Sequence, residues 1–87
     1  MSTYAELWTA LKKSGELSIQ VSKDQHKRCM RMLRHESHKD SAYRLSCVEE
    51  GKAFAFRHAS MGSLLVIRLI YKNTIPKGFL ITYKRRK

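Results

Sequence analysis

The stretch from Ser22 to Asp40, SKDQHKRCMRMLRHESHKD, constrains the fold most, because it reads as a helix with one dry side and one strongly cationic side. Cys29, Met30 and Leu33 recur three and four apart, with Met32 flanking, so a narrow stripe faces a core. Lys27, Arg31 and Arg34 share another side at the same spacings, and Arg28 lies beside them. Like charges so placed repel one another, a cost that is met more readily where an anion binds. Ser22 and Gln25 form an S-x-x-Q pattern, which predicts a capping box at the start. The run His35 to Lys39 leaves the end loose by about one turn.

Such a helix needs a second layer, and the flanking sequence supplies one. Thr3 and Glu6 form another capping-box pattern, and Tyr4, Leu7, Trp8 and Leu11 recur at helical spacing. The pattern predicts a helix over 3–13, ended by Ser14-Gly15. Its apolar stripe, with the only tryptophan, suits docking on a sheet. Leu17, Ile19 and Val21 alternate with Ser18 and Gln20, which predicts a short strand. From Ser41 the period again reads as two: Tyr43, Leu45 and Cys47 on one face, Arg44 and Ser46 on the other. Glu49 to Lys52 reads as a hairpin turn, followed by a strand with Phe54 and Phe56 on one side. His58 to Ser63 reads as a loop. Leu64 to Lys72 is a strong strand, apolar on both faces but for Arg68 and Lys72. Asn73 to Lys77, with Pro76, is a turn, and Phe79, Ile81 and Tyr83 alternate in a last strand.

The expected fold is therefore α+β: an N-terminal helix, a short strand, the basic helix, then an antiparallel β-meander with both helices on one sheet face. Tyr43, Leu45, Phe54, Phe56, Leu65, Ile67, Leu69, Phe79 and Ile81 would collect on the covered face. Arg44, Ser46, Arg57, Arg68, Lys72 and Lys84 would collect on the wet one. Residues 1–83 are expected to form one small domain, and 84–87 a basic tail. A chain of 87 residues buries only about 60–65% of its unfolded surface, so the core is modest and dimerisation would help it.

The net charge of +11 is spread unevenly. Lys12 and Lys13 balance Glu6 and Glu16 in the first 21 residues, whereas the segment from Leu64 onward carries seven cations and no acid. A pI of about 10.1 implies affinity for polyanions, of which nucleic acid is the commonest. The two cysteines, Cys29 and Cys47, lack a C-x-x-C spacing and read as reduced, semi-buried apolar residues. No basic region followed by an apolar run opens the chain, so an intracellular, cytoplasmic protein is expected. The run Leu64 to Tyr71 is too short to span a bilayer.

Little points to catalysis. His35-Glu36-Ser37-His38 places its histidines three apart rather than in an H-E-x-x-H frame, and with Cys29, His26 and Cys47 it fits no common metal spacing. No phosphate-cradling glycine loop, nucleophile elbow or acid/base couple stands out. A protein with no cofactor, no metal and no enzymatic activity is expected. Phosphate contacts would come from Lys27, Arg28, Arg31 and Arg34 on the helix, Arg44, Arg57, Arg68 and Lys72 on the sheet, and Lys84, Arg85 and Arg86 in the tail. Tyr43, Tyr71 and Tyr83 are candidates for stacking on bases, which tips the expectation toward single-stranded DNA or RNA. The blander role for these tyrosines is core packing.

Two alternatives accompany that reading. Strand 17–21, helix 23–36 and a helix over 42–49 resemble a ribbon-helix-helix repressor. The resemblance implies a dimer that pairs its two strands and places Ser18 and Gln20, with Glu16, in the major groove. Gln25 and His26 stand where that family has core residues, and the first helix and the later strands lie outside the pattern. The other alternative is a small inhibitor or adaptor, of the phage or plasmid type, docking on an acidic protein surface through the apolar and basic exterior around Leu64, Val66 and Ile70.

Overall fold

The computed structural model describes residues 3–79. Helix α1 spans Tyr4–Ser14, β1 Glu16–Gln20, α2 His26–Lys39, α3 Ser41–Glu49, β2 Ala53–Met61 and β3 Leu64–Lys72. The sheet is wholly antiparallel in the order β1-β3-β2, so the most apolar strand is central. The expected α+β architecture, with helices on one face of the sheet, is what forms.

Local sequence explains most boundaries. The Thr3 hydroxyl accepts from the Glu6 amide at 3.1 Å and the Glu6 carboxylate accepts from the Thr3 amide at 3.0 Å, completing the first capping box. Gly15 ends α1 in the left-handed region at φ 81°, and its amide donates to the Leu11 carbonyl. The second box does not form. A 3-10 turn over Lys23–Gln25 leads directly into α2, and the Ser22 side chain caps nothing. The stripe of α2 runs through Cys29, Met30 and Leu33 as expected, and is lengthened by His26 and Ser37, both buried. His26 sits between Ser60 Oγ, 2.8 Å from Nδ1, and the Val21 carbonyl, 3.1 Å from Nε2. That carbonyl can only accept, so Nε2 carries a proton and the buried ring is satisfied on both sides.

The strand expected from Ser41 is instead α3. Tyr43, Leu45 and Cys47 alternate over only five residues, and Tyr43/Cys47 and Arg44/Val48 are equally neighbours at helical spacing. Asp40 decides the matter: its carboxylate accepts from the Tyr43 amide at 3.2 Å and caps the helix. The supposed hairpin turn at Glu49 to Lys52 is the end of α3, with Gly51 at φ 78°. Leu45, expected in the core, is 48% exposed, and Arg44, expected on the wet sheet face, is 6% exposed. The loop expected over His58 to Ser63 is also overturned: β2 continues to Met61, and only Gly62 and Ser63 turn. Gly62 has φ 62° and, among the described residues, no non-glycine residue has positive φ, as in a II′ hairpin with glycine first. Phe79 lies in a turn, and the rest of the expected last strand and the tail lie outside the described residues.

The register fixes the two sheet faces. Leu65, Ile67 and Leu69 point with Leu17, Ile19, Phe54 and Phe56 toward the helices, and all join or pack against the core of Trp8, Leu11, Cys29, Met30, Leu33 and Cys47. Each fully buried aliphatic of that set contributes about 1.5–3 kcal/mol. Cys29 and Cys47 are both free thiols inside it. Helices α2 and α3 follow β1 in the order the ribbon-helix-helix resemblance implies. β1 itself, however, is paired over its whole length with β3 of the same chain. Among the described residues no helix is long and apolar enough to cross a membrane.

Candidate nucleic-acid interface

The side of the sheet away from the helices carries β3 residues Leu64, Val66, Arg68, Ile70 and Lys72. On β2 it carries Ala55, Arg57, Ala59 and Met61, and on β1 Glu16, Ser18 and Gln20. Arg57, Ala59, Met61, Arg68, Ser18 and Gln20 are exposed on this outer face, whereas Ala53, the partner of Lys72 at its far end, is buried. Arg57 stands directly opposite Arg68 across β2 and β3, and Glu16 stands opposite Arg68 across β1 and β3. One row thus crosses all three strands in the order Glu16, Arg68, Arg57.

Within that row the charges are unequally matched. Arg68 reaches the Glu16 carboxylate at 3.4 Å, with both side chains half or more exposed at 60% and 51%. A pair so wet contributes about 0–1 kcal/mol. Arg57 is exposed and has no acidic partner among the described residues. Two cations directly opposed on one sheet face destabilise it. Between them lies a shallow groove of about 220 Å³ lined by Arg57, His58, Ala59, Val66 and Arg68, so its floor is apolar and its rims are guanidinium.

Lys27, Arg28, Arg31 and Arg34 are all exposed on α2. The buried stripe of α2 belongs to the core, and Arg34 lines a cavity with Ala55 and Phe56 at the β2 edge of the sheet. Arg28 lies near the Tyr4 hydroxyl, while Lys27, Arg31 and Arg34 make no ion pair among the described residues. Lys84, Arg85 and Arg86 fall outside the described residues.

Arg44 is not one of these exposed cations. Its Nε donates to the Ser37 carbonyl at 3.0 Å and one terminal nitrogen to the Phe79 carbonyl at 2.7 Å. Its guanidinium carbon lies 4.9 Å and 4.6 Å from the ring centres of Phe54 and Phe79. Burial draws its pKa down, partly offset by the charge of Asp40, but a guanidinium stays protonated in proteins. The same group, with Arg34, His35 and above all burial, lowers the pKa of His38.

The tyrosines expected to stack on bases are otherwise engaged. The Tyr43 and Tyr71 hydroxyls bond to each other at 2.6 Å, and Tyr43 packs 5.8 Å from Trp8 and 5.4 Å from Phe54. Burial and then the Tyr71 hydroxyl raise the pKa of Tyr43. Lys52 sits over the Tyr71 ring at 4.5 Å. Tyr83 is outside the described residues. Among the described residues, the planar polar groups on the outer face are therefore guanidinium planes and not rings. The sequence alone does not single out Glu16 as the partner of Arg68, or Ala59 as apolar lining of the groove. The alternation Glu16, Ser18, Gln20 was the available signal for the first. Among the described residues no three His, Cys, Asp or Glu side chains gather as metal ligands. Comparison with family models, curated proteins and solved structures finds no match to this chain.

Proposed function

We propose that the protein is a non-enzymatic nucleic-acid-binding protein that holds a single strand of DNA or RNA across the outer face of its sheet. The observation that supports it is the opposition of Arg57 and Arg68 over an apolar floor on the outer face. A guanidinium fork suits a phosphate oxygen pair, and a phosphate between two such forks relieves their mutual repulsion. The apolar floor favours a single strand over a duplex. A duplex presents chiefly phosphates to a flat surface, whereas a single strand also offers base faces to Ala59, Val66 and the guanidinium planes. The exposed cations of α2 add long-range attraction at low salt.

Binding of labelled single strands, duplex DNA and RNA of equal length, followed against salt, tests this. Arg57→Ala with Arg68→Ala is expected to weaken single-strand binding about tenfold or more and to flatten the log–log salt slope by at most about 0.7, for the one phosphate held between them. Arg31→Ala with Arg34→Ala is expected to have the smaller effect. The reverse order would transfer the site to α2. Sequence-dependent duplex binding that survives salt would favour the ribbon-helix-helix reading. Weak binding to every form at low salt would leave an acidic protein surface as the partner.

A further inference from the structure

The position of Glu16 is not explained by its own neighbourhood. It follows the end of α1, where unpaired carbonyls disfavour a negative charge. Its backbone is fixed there. The Ser14 hydroxyl donates to the Glu16 carbonyl at 2.7 Å, and the Gly15 carbonyl accepts from the Leu69 amide at 2.9 Å. The left-handed turn at Gly15, φ 81°, thus delivers a carboxylate to the one row of the outer face that carries two arginines. It reaches Arg68 and leaves Arg57 unpaired.

We infer that Glu16 is an internal stand-in for phosphate: it occupies Arg68 in the free protein and is displaced when a phosphodiester settles between Arg57 and Arg68. The inference rests on the nucleic-acid reading for the identity of the ligand, and adds the phosphate seat and its built-in competitor. Three consequences follow from the geometry. Arg68 is screened from weakly held anions. Bound phosphate must outbid a tethered carboxylate, which selects doubly contacted phosphates over isolated charges. And because the counter-ion of Arg68 is part of the protein, the cation shed by the phosphate is taken up at the freed Glu16 carboxylate instead of being lost to solution. Removing the carboxylate restores that release.

The test uses the whole chain with Glu16→Gln, and Glu49→Gln as a control that removes an exposed acid on α3. Fluorescein-labelled oligothymidylate and oligouridylate are titrated by anisotropy at several salt concentrations. Glu16→Gln is expected to tighten binding about three- to fivefold at low salt, the most a wet ion pair can withhold, and to steepen the salt slope by about 0.7. Glu49→Gln is expected to leave the slope unchanged. In parallel, inorganic phosphate is titrated while the arginine Nε–H resonances are followed by NMR. Those of Arg57 and Arg68 are expected to move together, and at lower phosphate in Glu16→Gln. A tight oligonucleotide complex whose slope is the same in wild type and Glu16→Gln overturns the inference. So does a lowered melting temperature with no change in slope, which makes Glu16 only a structural partner of Arg68. Phosphate shifts at both arginines without oligonucleotide binding uphold the seat and overturn the nucleic-acid reading instead.

Discussion

Arg44→Ala is expected to destabilise the protein by about 3–5 kcal/mol, a large part of the stability of a domain of this size. The substitution strands the Ser37 and Phe79 carbonyls, which now accept from the guanidinium, and removes the group that packs against both the Phe54 and Phe79 rings. Unsatisfied buried acceptors cost about 1–3 kcal/mol each, and the lost packing adds to that. Urea unfolding measures it as a lower midpoint. Arg44→Lys is expected to rescue only a minor part, because an ammonium has neither the planar fork nor the stacking face. Where Arg44→Lys remains folded, its salt slope for oligonucleotide binding is expected to match wild type. A flattened slope there would return Arg44 to the binding surface.

Asp40→Ala is expected to cost about 2–4 kcal/mol, or roughly 10–25 °C in melting temperature. One carboxylate serves two helices through three hydrogen bonds. It accepts from Trp8 Nε1 at 2.9 Å and from Lys12 Nζ at 2.6 Å on α1, and it caps α3 through the Tyr43 amide. Burial by itself would raise the pKa of Asp40. The hydrogen bonds from Lys12, Trp8 and Tyr43 together outweigh it and hold the carboxyl below its ordinary value. A carboxyl lowered in the folded state contributes fully above its unfolded pKa, about 4, and that contribution is lost as pH falls through the folded value. Wild type is therefore expected to lose stability below about pH 4 more steeply than Asp40→Asn, as denaturant midpoints across acid pH would show. Parallel curves would remove Asp40 from the acid transition.

Asp40 also marks where the sequence was legible and where it was not. Thr3, Glu6 and Gly15 bracket α1 with side-chain and backbone chemistry that acts within a few residues, and such signals read directly. Leu64 to Lys72 is apolar on both sides because it is central, and alternation along it put Arg68 and Lys72 outward. Residues 43–47 carry a pattern too short to choose between periods, and the cap that chooses is a carboxylate also held by residues 8 and 12, far back in the chain. Arg44 illustrates the harder case. Nothing local distinguishes a cation that will pack against two phenylalanines from one that will face water. The opposition of Arg57 and Arg68 likewise needed the register, which the two-residue turn at Gly62 and Ser63 sets and which a loop over 58–63 obscured.

That turn has a kinetic consequence. β2 and β3 are joined by two residues, so their ladder can zip from a local closure within microseconds, whereas β1 must bring Glu16 to Arg68 across most of the chain. The first strand to emerge in synthesis is thereby the last to find its place. Gly62→Ala is expected to slow folding, and Ile19→Val to speed unfolding while leaving the folding rate nearly unchanged, as chevron analysis would show. A folding rate equally sensitive to both would mean β1 docks in the transition state. Until β1 docks, β3 offers the unpaired edge of the most apolar of the described strands, so the interval before docking is when this protein is most exposed to pairing with the wrong partner.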